Sequence, residues 1–198
     1  MINVGLTGGI ATGKSLVSKF FKELGAYIID YDKLSREIVE PDENAWKRIV
    51  DHFGEGILKA DRSIDRERLG KIVFDDPVKR KELEGITHPE IFIEVRRRVN
   101  KIKKADPHAV IIQDVPLLFE AKLEKTVDKI IVVRTSINTQ KKRLMDRDGF
   151  DESDVEKRLN AQMPLDEKVM LADFVISNDG SIAETKKAVE EVFKALKI

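Results

Sequence analysis

The sequence predicts an α/β protein: a five-stranded parallel sheet with helices on both faces, interrupted by a large helical insertion. Three observations lead there. Five short apolar runs, near 2–6, 26–29, 109–112, 129–133 and 174–176, alternate with stretches of helical periodicity, the pattern of strands buried on both faces. A glycine-rich loop joins the first run to the first helix. From Pro41 to Ala105 the apolar residues recur at helical spacing, and no strand-like run interrupts them.

Each element has its own justification. Ile2 to Leu6 is a strand broken only by Asn3 and Gly5, and Leu16, Val17, Phe20, Phe21 and Leu24 mark the first helix. Gly25 is placed to cap it. Ala26 to Ile29 forms the second strand, ending at Asp30-Tyr31-Asp32, and Leu34, Ile38 and Val39 begin another helix. In the insertion, Trp46, Ile49, Val50 and Phe53 form one apolar stripe, Leu69, Ile72 and Val73 a second, and Ile91 to Ile102 a third. The core resumes with Ala109 to Ile112, followed by Gln113-Asp114-Val115-Pro116, then with the strand Lys129 to Val133 and a helix from Ile137 to Arg147. Residues 148–162 are polar, flanked by Gly149 and Pro164, and suit a mobile flap. Phe174 to Ile176 is the last strand, and Ile182 to Leu196 an amphipathic closing helix. The expected organisation is one domain over 1–198, with its core in 1–40, 106–147 and 163–198, the insertion in 41–105 and a lid in 148–162.

Composition narrows the class. Lys plus Arg and Asp plus Glu are both 36, so the formal charge is zero, which argues against a sequence-independent nucleic-acid binder. There are no cysteines, and no apolar run approaches the roughly 18 residues of a membrane span. The N-terminus enters a strand directly, without a signal-like segment. These features predict a cytoplasmic protein with no membrane partner. A charged fraction of 36% leans toward heat tolerance. His52, His88 and His108 lack metal-ligand spacing.

The chemistry begins at the loop. Gly8, four residues, then Gly13-Lys14-Ser15 match G-x-x-x-x-G-K-[ST], a phosphate-binding loop of nucleoside triphosphatases. Glycines let successive N–H groups turn inward around phosphate oxygens. Lys14 would set an ammonium against the β- and γ-phosphates, and the Ser15 hydroxyl would ligate Mg²⁺. The helix N-terminus adds partial positive charge beneath them. A glycine-rich turn that binds nothing is the alternative.

Three further features fall beyond the carboxyl ends of the strands, where open parallel sheets collect ligands. Asp32 is placed to accept a proton from an attacking alcohol or merely to cap a helix, and Asp30 to orient substrate or the metal shell. Asp114 has the position of a carboxylate that holds Mg²⁺ through water, or of a loop acid. Arg143 and Arg147, four apart on one helical face, suit a phosphate clamp or a solvated surface paired with Asp146 and Asp148. Arg158 is a weaker candidate of the same kind. Thr87-His88-Pro89 reads as a polar turn within the insertion. The basic run Arg96-Arg97-Arg98 with Lys101, Lys103 and Lys104 points around all sides of a helix and reads as solvated surface.

The ordered set is specific. Gly5-Leu-Thr-Gly-Gly-Ile, Asp30-x-Asp32, Thr87-His88-Pro89, Pro116-Leu-Leu-Phe-Glu120, Arg143-x-x-x-Arg147, Arg158-x-x-x-Gln162, Ala172-Asp173 and Asn178 occur in that order. With them the chain resembles the dephospho-coenzyme A kinase family over essentially its whole length. The resemblance implies a P-loop three-layer fold like the nucleoside monophosphate kinases, with a helical coenzyme A-binding domain and a lid. It implies ATP-dependent phosphorylation of the ribose 3′-hydroxyl of dephospho-coenzyme A, with Mg²⁺. It assigns ATP to Gly8, Gly9, Ile10, Ala11, Thr12, Gly13, Lys14, Ser15, Leu16 and Asn178, and catalysis to Asp32, Lys14, Arg143 and Arg147. Asp30, Asp32, His88, Pro116, Leu117 and Glu120 fall on the substrate side. Two positions depart from the family: Ala11-Thr12 stands where Gly-Ser or Gly-Thr is usual, and Leu16 replaces a second hydroxyl. A nucleoside monophosphate kinase is the nearest rival. A GTP switch would need Asn-Lys-x-Asp, and Val133 leads instead into Arg134-Thr135-Ser136. A regulator without catalysis would not need Lys14, Ser15 and Asp32 together.

Overall fold

A computed structural model of the chain describes residues 1–74 and 76–197. It contains strands β1 (Ile2–Gly8), β2 (Tyr27–Asp30), β3 (Val110–Asp114), β4 (Lys129–Arg134) and β5 (Phe174–Ser177). The helices, in chain order, are α1 (Lys14–Glu23), α2 (Tyr31–Glu37), α3 (Asn44–Phe53), α4 (Arg66–Phe74), α5 (Pro77–Ala105), α6 (Ile137–Asp148), α7 (Glu152–Asn160), α8 (Leu165–Met170) and α9 (Ile182–Leu196). The chain divides into two compact units: Met1–Asp30 with the chain from Ile102 onward, and Tyr31–Lys101.

The first unit is built on the sheet, ordered β2-β3-β1-β4-β5 with every pairing parallel. Buried parallel strands need apolar side chains on both faces, and the sequence supplies them: Val4, Leu6, Ile111, Ile112, Ile131, Val132 and Val133 are all fully buried. Against one face, Val17, Phe20 and Phe21 of α1 pack with Val189, Val192, Phe193 and Leu196 of α9. Removing a side chain the size of Phe21 from water contributes about 1.5–3 kcal/mol. Helix α1 ends where Gly25 takes φ 94° and donates its N–H to the Lys22 carbonyl, as a left-handed cap should.

The strands run further than the apolar runs. β1 extends to Gly8, and β3 includes Gln113 and Asp114, because ladder pairing continues past the last apolar side chain. The register places Asp114 beside Leu6 of β1 and Asp30 of β2. Three strand ends therefore meet at the loop that leads into α1. The predicted polar flap holds a helix, α7, capped by Asp151 and anchored by the fully buried Val155. Helix α8, absent from the sequence reading, follows it.

Among its described residues the second unit is helical, apart from a bridge between Leu58 and Ile64. Trp46 and Ile49 of α3, Leu69 of α4 and Ile86 of α5 form its core with Ile57 and Ile64. The Trp46 indole donates to the Arg62 carbonyl at 2.9 Å. Thr87-His88-Pro89 is not a turn: it lies inside α5. Pro89 lacks the N–H that would bond to the Gly85 carbonyl, yet the helix continues, and two residues earlier the Thr87 hydroxyl bonds back to the Leu83 carbonyl at 3.0 Å. The basic run is largely on the surface, with Arg97 and Arg98 both paired to Glu94.

Candidate functional site

The loop between β1 and α1 is shaped by two left-handed residues, Ala11 at φ 59° and Gly13 at φ 85°. Gly13 has no substitute, since a Cβ there would lie 2.0 Å from the Asn178 amide nitrogen. Ala11 occupies a conformation that costs an L-residue about 1–2 kcal/mol.

What holds the loop is a set of side-chain donors, Thr12 within it and the others outside. The Gly9 carbonyl accepts from the Thr12 hydroxyl at 2.8 Å, the Ile10 carbonyl from Gln140 at 2.7 Å, and the Ala11 carbonyl from Arg143 at 3.2 Å. The Thr12 carbonyl accepts from Asn178 at 2.8 Å, and the Lys168 ammonium lies 3.5 Å from the Gly8 carbonyl. In a trans peptide the N–H points opposite to the carbonyl. The Gly8, Ile10 and Thr12 carbonyls drawn outward therefore turn the N–H groups of Gly9, Ala11 and Gly13 toward the concave side, as in an anion nest, while the Ile10 N–H is taken by Gln162 and the Thr12 N–H by the Gly9 carbonyl.

At the end of the loop Lys14 pairs with Asp114. Asp114 is buried, and burial pushes its carboxyl above the ordinary value; the Lys14 charge and the Ser18 hydroxyl pull the other way without prevailing. Lys14 is thus held at the mouth of the loop. Ser15, in the first turn of α1, is exposed. Leu16 is partly buried against the core rather than facing the loop.

The expected site residues distribute unevenly. Arg143 lies against the loop, donating also to the Asn178 carbonyl at 2.9 Å. Arg147, one turn on, pairs with its neighbour Asp148 at 2.7 Å and is 65% exposed, so the two guanidinium groups do not act on one partner here. Arg158 stacks on Phe150 at 3.6 Å. Asn178 is buried and orders the loop through both ends of its amide, since Thr185 donates to its oxygen at 2.9 Å. The Pro116 carbonyl accepts from the buried Thr7 hydroxyl at 3.0 Å, while Leu117 is exposed. Glu120 is taken up by Lys168 at 2.8 Å and by the Met163 N–H at 3.0 Å. Burial raises the Glu120 carboxyl, but the hydrogen bond from Lys168 leads the opposing causes and the net shift is downward. Asp32 and His88 belong to the helical unit. Asp32 is exposed in the first turn of α2, which starts at Tyr31, so it lies inside the helix rather than before it. His88 is exposed on α5, its ring 6.4 Å from that of Phe92.

Gln140 and Lys168 brace the loop, and sequence reasoning missed both. Gln140 shares a helical face with the fully buried Leu144, and that spacing could have flagged it. Lys168 carries no such signal, because a lysine on a short helix reads as surface.

Known proteins resemble the chain over nearly its whole length. The family model for dephospho-CoA kinase matches residues 2–184. A dephospho-CoA kinase of Carboxydothermus hydrogenoformans is 45% identical over 98% of this chain and 94% of its own. One from Bacillus cereus is 46% identical over 96% of this chain and 95% of its own. The solved dephospho-CoA kinase from Campylobacter jejuni superposes with TM-score 0.76 at 30% identity, covering 98% of this chain and 96% of its own.

Proposed function

The chain belongs to the dephospho-CoA kinase family, and from that premise we propose how its residues divide the work of one phosphoryl transfer. The family carries out the last step of coenzyme A synthesis. The γ-phosphoryl group of ATP moves to the ribose 3′-hydroxyl of dephospho-coenzyme A, giving coenzyme A and ADP. One observation carries the assignment of the donor site: the carbonyls of Gly8, Ile10 and Thr12 are drawn to side chains outside the loop, which leaves the N–H groups of Gly9, Ala11 and Gly13 to face a polyphosphate.

Lys14 leaves Asp114 for the β- and γ-phosphates as nucleotide enters. Ser15, with Asp114 through water, offers the hydroxyl and carboxylate oxygens that suit Mg²⁺. The ion, when bound, supplies neutralising charge to the β- and γ-oxygens. Arg143 and Arg147 stabilise the transferring group, Arg143 from its seat on the loop and Arg147 after leaving Asp148. Asn178 borders the adenine.

On the acceptor side, Asp32 takes the proton of the 3′-hydroxyl as its oxygen bonds to phosphorus and the bond from phosphorus to the β-bridging oxygen breaks. Asp30, His88, Pro116 and Leu117 line the acceptor, and Glu120 shapes the loop that carries Pro116 and Leu117 by its bond to Lys168. The helical insertion, 41–105, receives the coenzyme A moiety, and 148–162 closes as a lid. The partners are ATP and dephospho-coenzyme A, without nucleic acid or membrane, and the compartment is the cytoplasm.

Incubation with ATP, Mg²⁺ and dephospho-coenzyme A, followed by chromatography, should give coenzyme A; ATP consumption with no new 3′-phosphate would refute the assignment. Asp32→Asn should bind ATP normally and lose at least about a hundredfold in turnover, the range of a general base. A near wild-type rate would leave Asp32 as a helix residue only.

A further inference from the structure

Gln140 is a buried amide, 3% exposed, three residues before Arg143 on α6. The two side chains take consecutive loop carbonyls, Ile10 and Ala11. Between those carbonyls lies Ala11, a non-glycine residue in the left-handed region. A residue in such a conformation persists only where its surroundings over-determine it. Here they do: the Ile10 N–H donates to Gln162 at 3.0 Å, and the Ile10 carbonyl accepts from Gln140 at 2.7 Å. The peptides on both sides of Ile10 are thereby fixed, and with them the direction of the Ala11 N–H. Gln140 also fits only because residue 9 is glycine, since a Cβ at Gly9 would come within 2.6 Å of its amide nitrogen.

We propose that Gln140 is a positioning residue for the nucleotide: by holding the Ile10 carbonyl outward it keeps Ala11 left-handed and its N–H turned into the phosphate cradle. Without that bond the Ile10–Ala11 peptide can rotate to relieve Ala11, which turns a carbonyl oxygen toward the phosphates and withdraws a donor. Glycine at position 11 would have no strain to relieve, so its loop would keep its shape with less help. The dependence on Gln140 therefore belongs to the alanine in this chain.

The test is a double-mutant cycle on ATP affinity. Titration calorimetry with ATP and Mg²⁺, without acceptor, is run on the wild type, Gln140→Met, Ala11→Gly and the double variant, with melting temperatures alongside. It needs no turnover, so it is read independently of the assigned reaction. Gln140→Met keeps the packing and removes the donor. It should weaken ATP about tenfold, the worth of one lost hydrogen bond, while in the Ala11→Gly background the loss shrinks to about threefold or less. Steady-state kinetics should show the KM for ATP rising and that for dephospho-coenzyme A unmoved. Should methionine fail to fold, Gln140→Leu, also uncharged and without the donor, carries the same cycle. Equal losses in both backgrounds, or a lower melting temperature with unchanged ATP affinity, would overturn the proposal.

Discussion

Replacing Lys168 with methionine is the sharpest perturbation of the fold that the structure offers. The Lys168 side chain is fully buried, and its partner Glu120 is 23% exposed at 2.8 Å. Removing one member of a buried pair leaves the other charge desolvated, at a cost of about 3–5 kcal/mol. Glu120 keeps some water and the Met163 N–H, so the lower end applies, about 3 kcal/mol. For a chain of this size each kcal/mol lowers the melting temperature by about 2–4 °C, which gives a drop of about 6–12 °C. Lys168→Met with Glu120→Gln should recover most of it, because the amide still accepts from Met163 and carries no charge. Urea unfolding followed by far-UV circular dichroism measures both variants. Trp46, the single tryptophan, lies in the helical unit and gives a separate signal for that unit, whereas Lys168 lies in the sheet unit. A single variant costing under about 1 kcal/mol, the scale of an exposed ion pair, would refute the reasoning. So would a double variant no better than the single.

Two other outcomes follow from the same geometry. The Thr135 hydroxyl, then the Ser136 N–H, hold the Asp179 carboxyl down at about 2. A depressed folded value means that its stabilisation is present above 3.8 and is lost as pH falls toward about 2; Asp179→Asn should flatten that acid limb in melting experiments, and an unchanged limb would count against the contact. Arg143→Ala, which removes donors to the Ala11 and Asn178 carbonyls, should cost about 2 kcal/mol of stability, whereas Arg147→Ala at its exposed pair should cost under about 0.5 kcal/mol. Thermal melts of the ligand-free variants decide it, and the reverse order would mean that Arg143 does not hold the loop.

Much of the fold was legible because burial on two faces leaves a simple mark. Val110, Ile111 and Ile112 or Ile130 to Val133 have little option but to be central strands once helical stretches flank them. The reading failed where local signals conflict with distant support. Thr87-His88-Pro89 reads as a turn because proline lacks a donor, yet α5 runs through it. The polar composition of 148–162 gave no sign of α7, which Asp151 caps and Val155 anchors by burial. Arg143 and Arg147 look equivalent at four-residue spacing, and only their surroundings separate a loop-holding arginine from a surface pair.

The phosphate loop, the alternation of strands and helices, and the ordered motifs that mark the family are all written in the chain. These depend on local chemistry: glycine at left-handed positions, apolar runs, and charged groups at fixed spacing. The tertiary structure alone decided which side chains brace that loop. Gln140, Lys168 and Asn178 reach residues 8–12 from more than a hundred positions away in the chain. A hydrogen bond to a backbone carbonyl depends on where the sheet brings the donor, and it leaves no mark on the identity of the residue that accepts it.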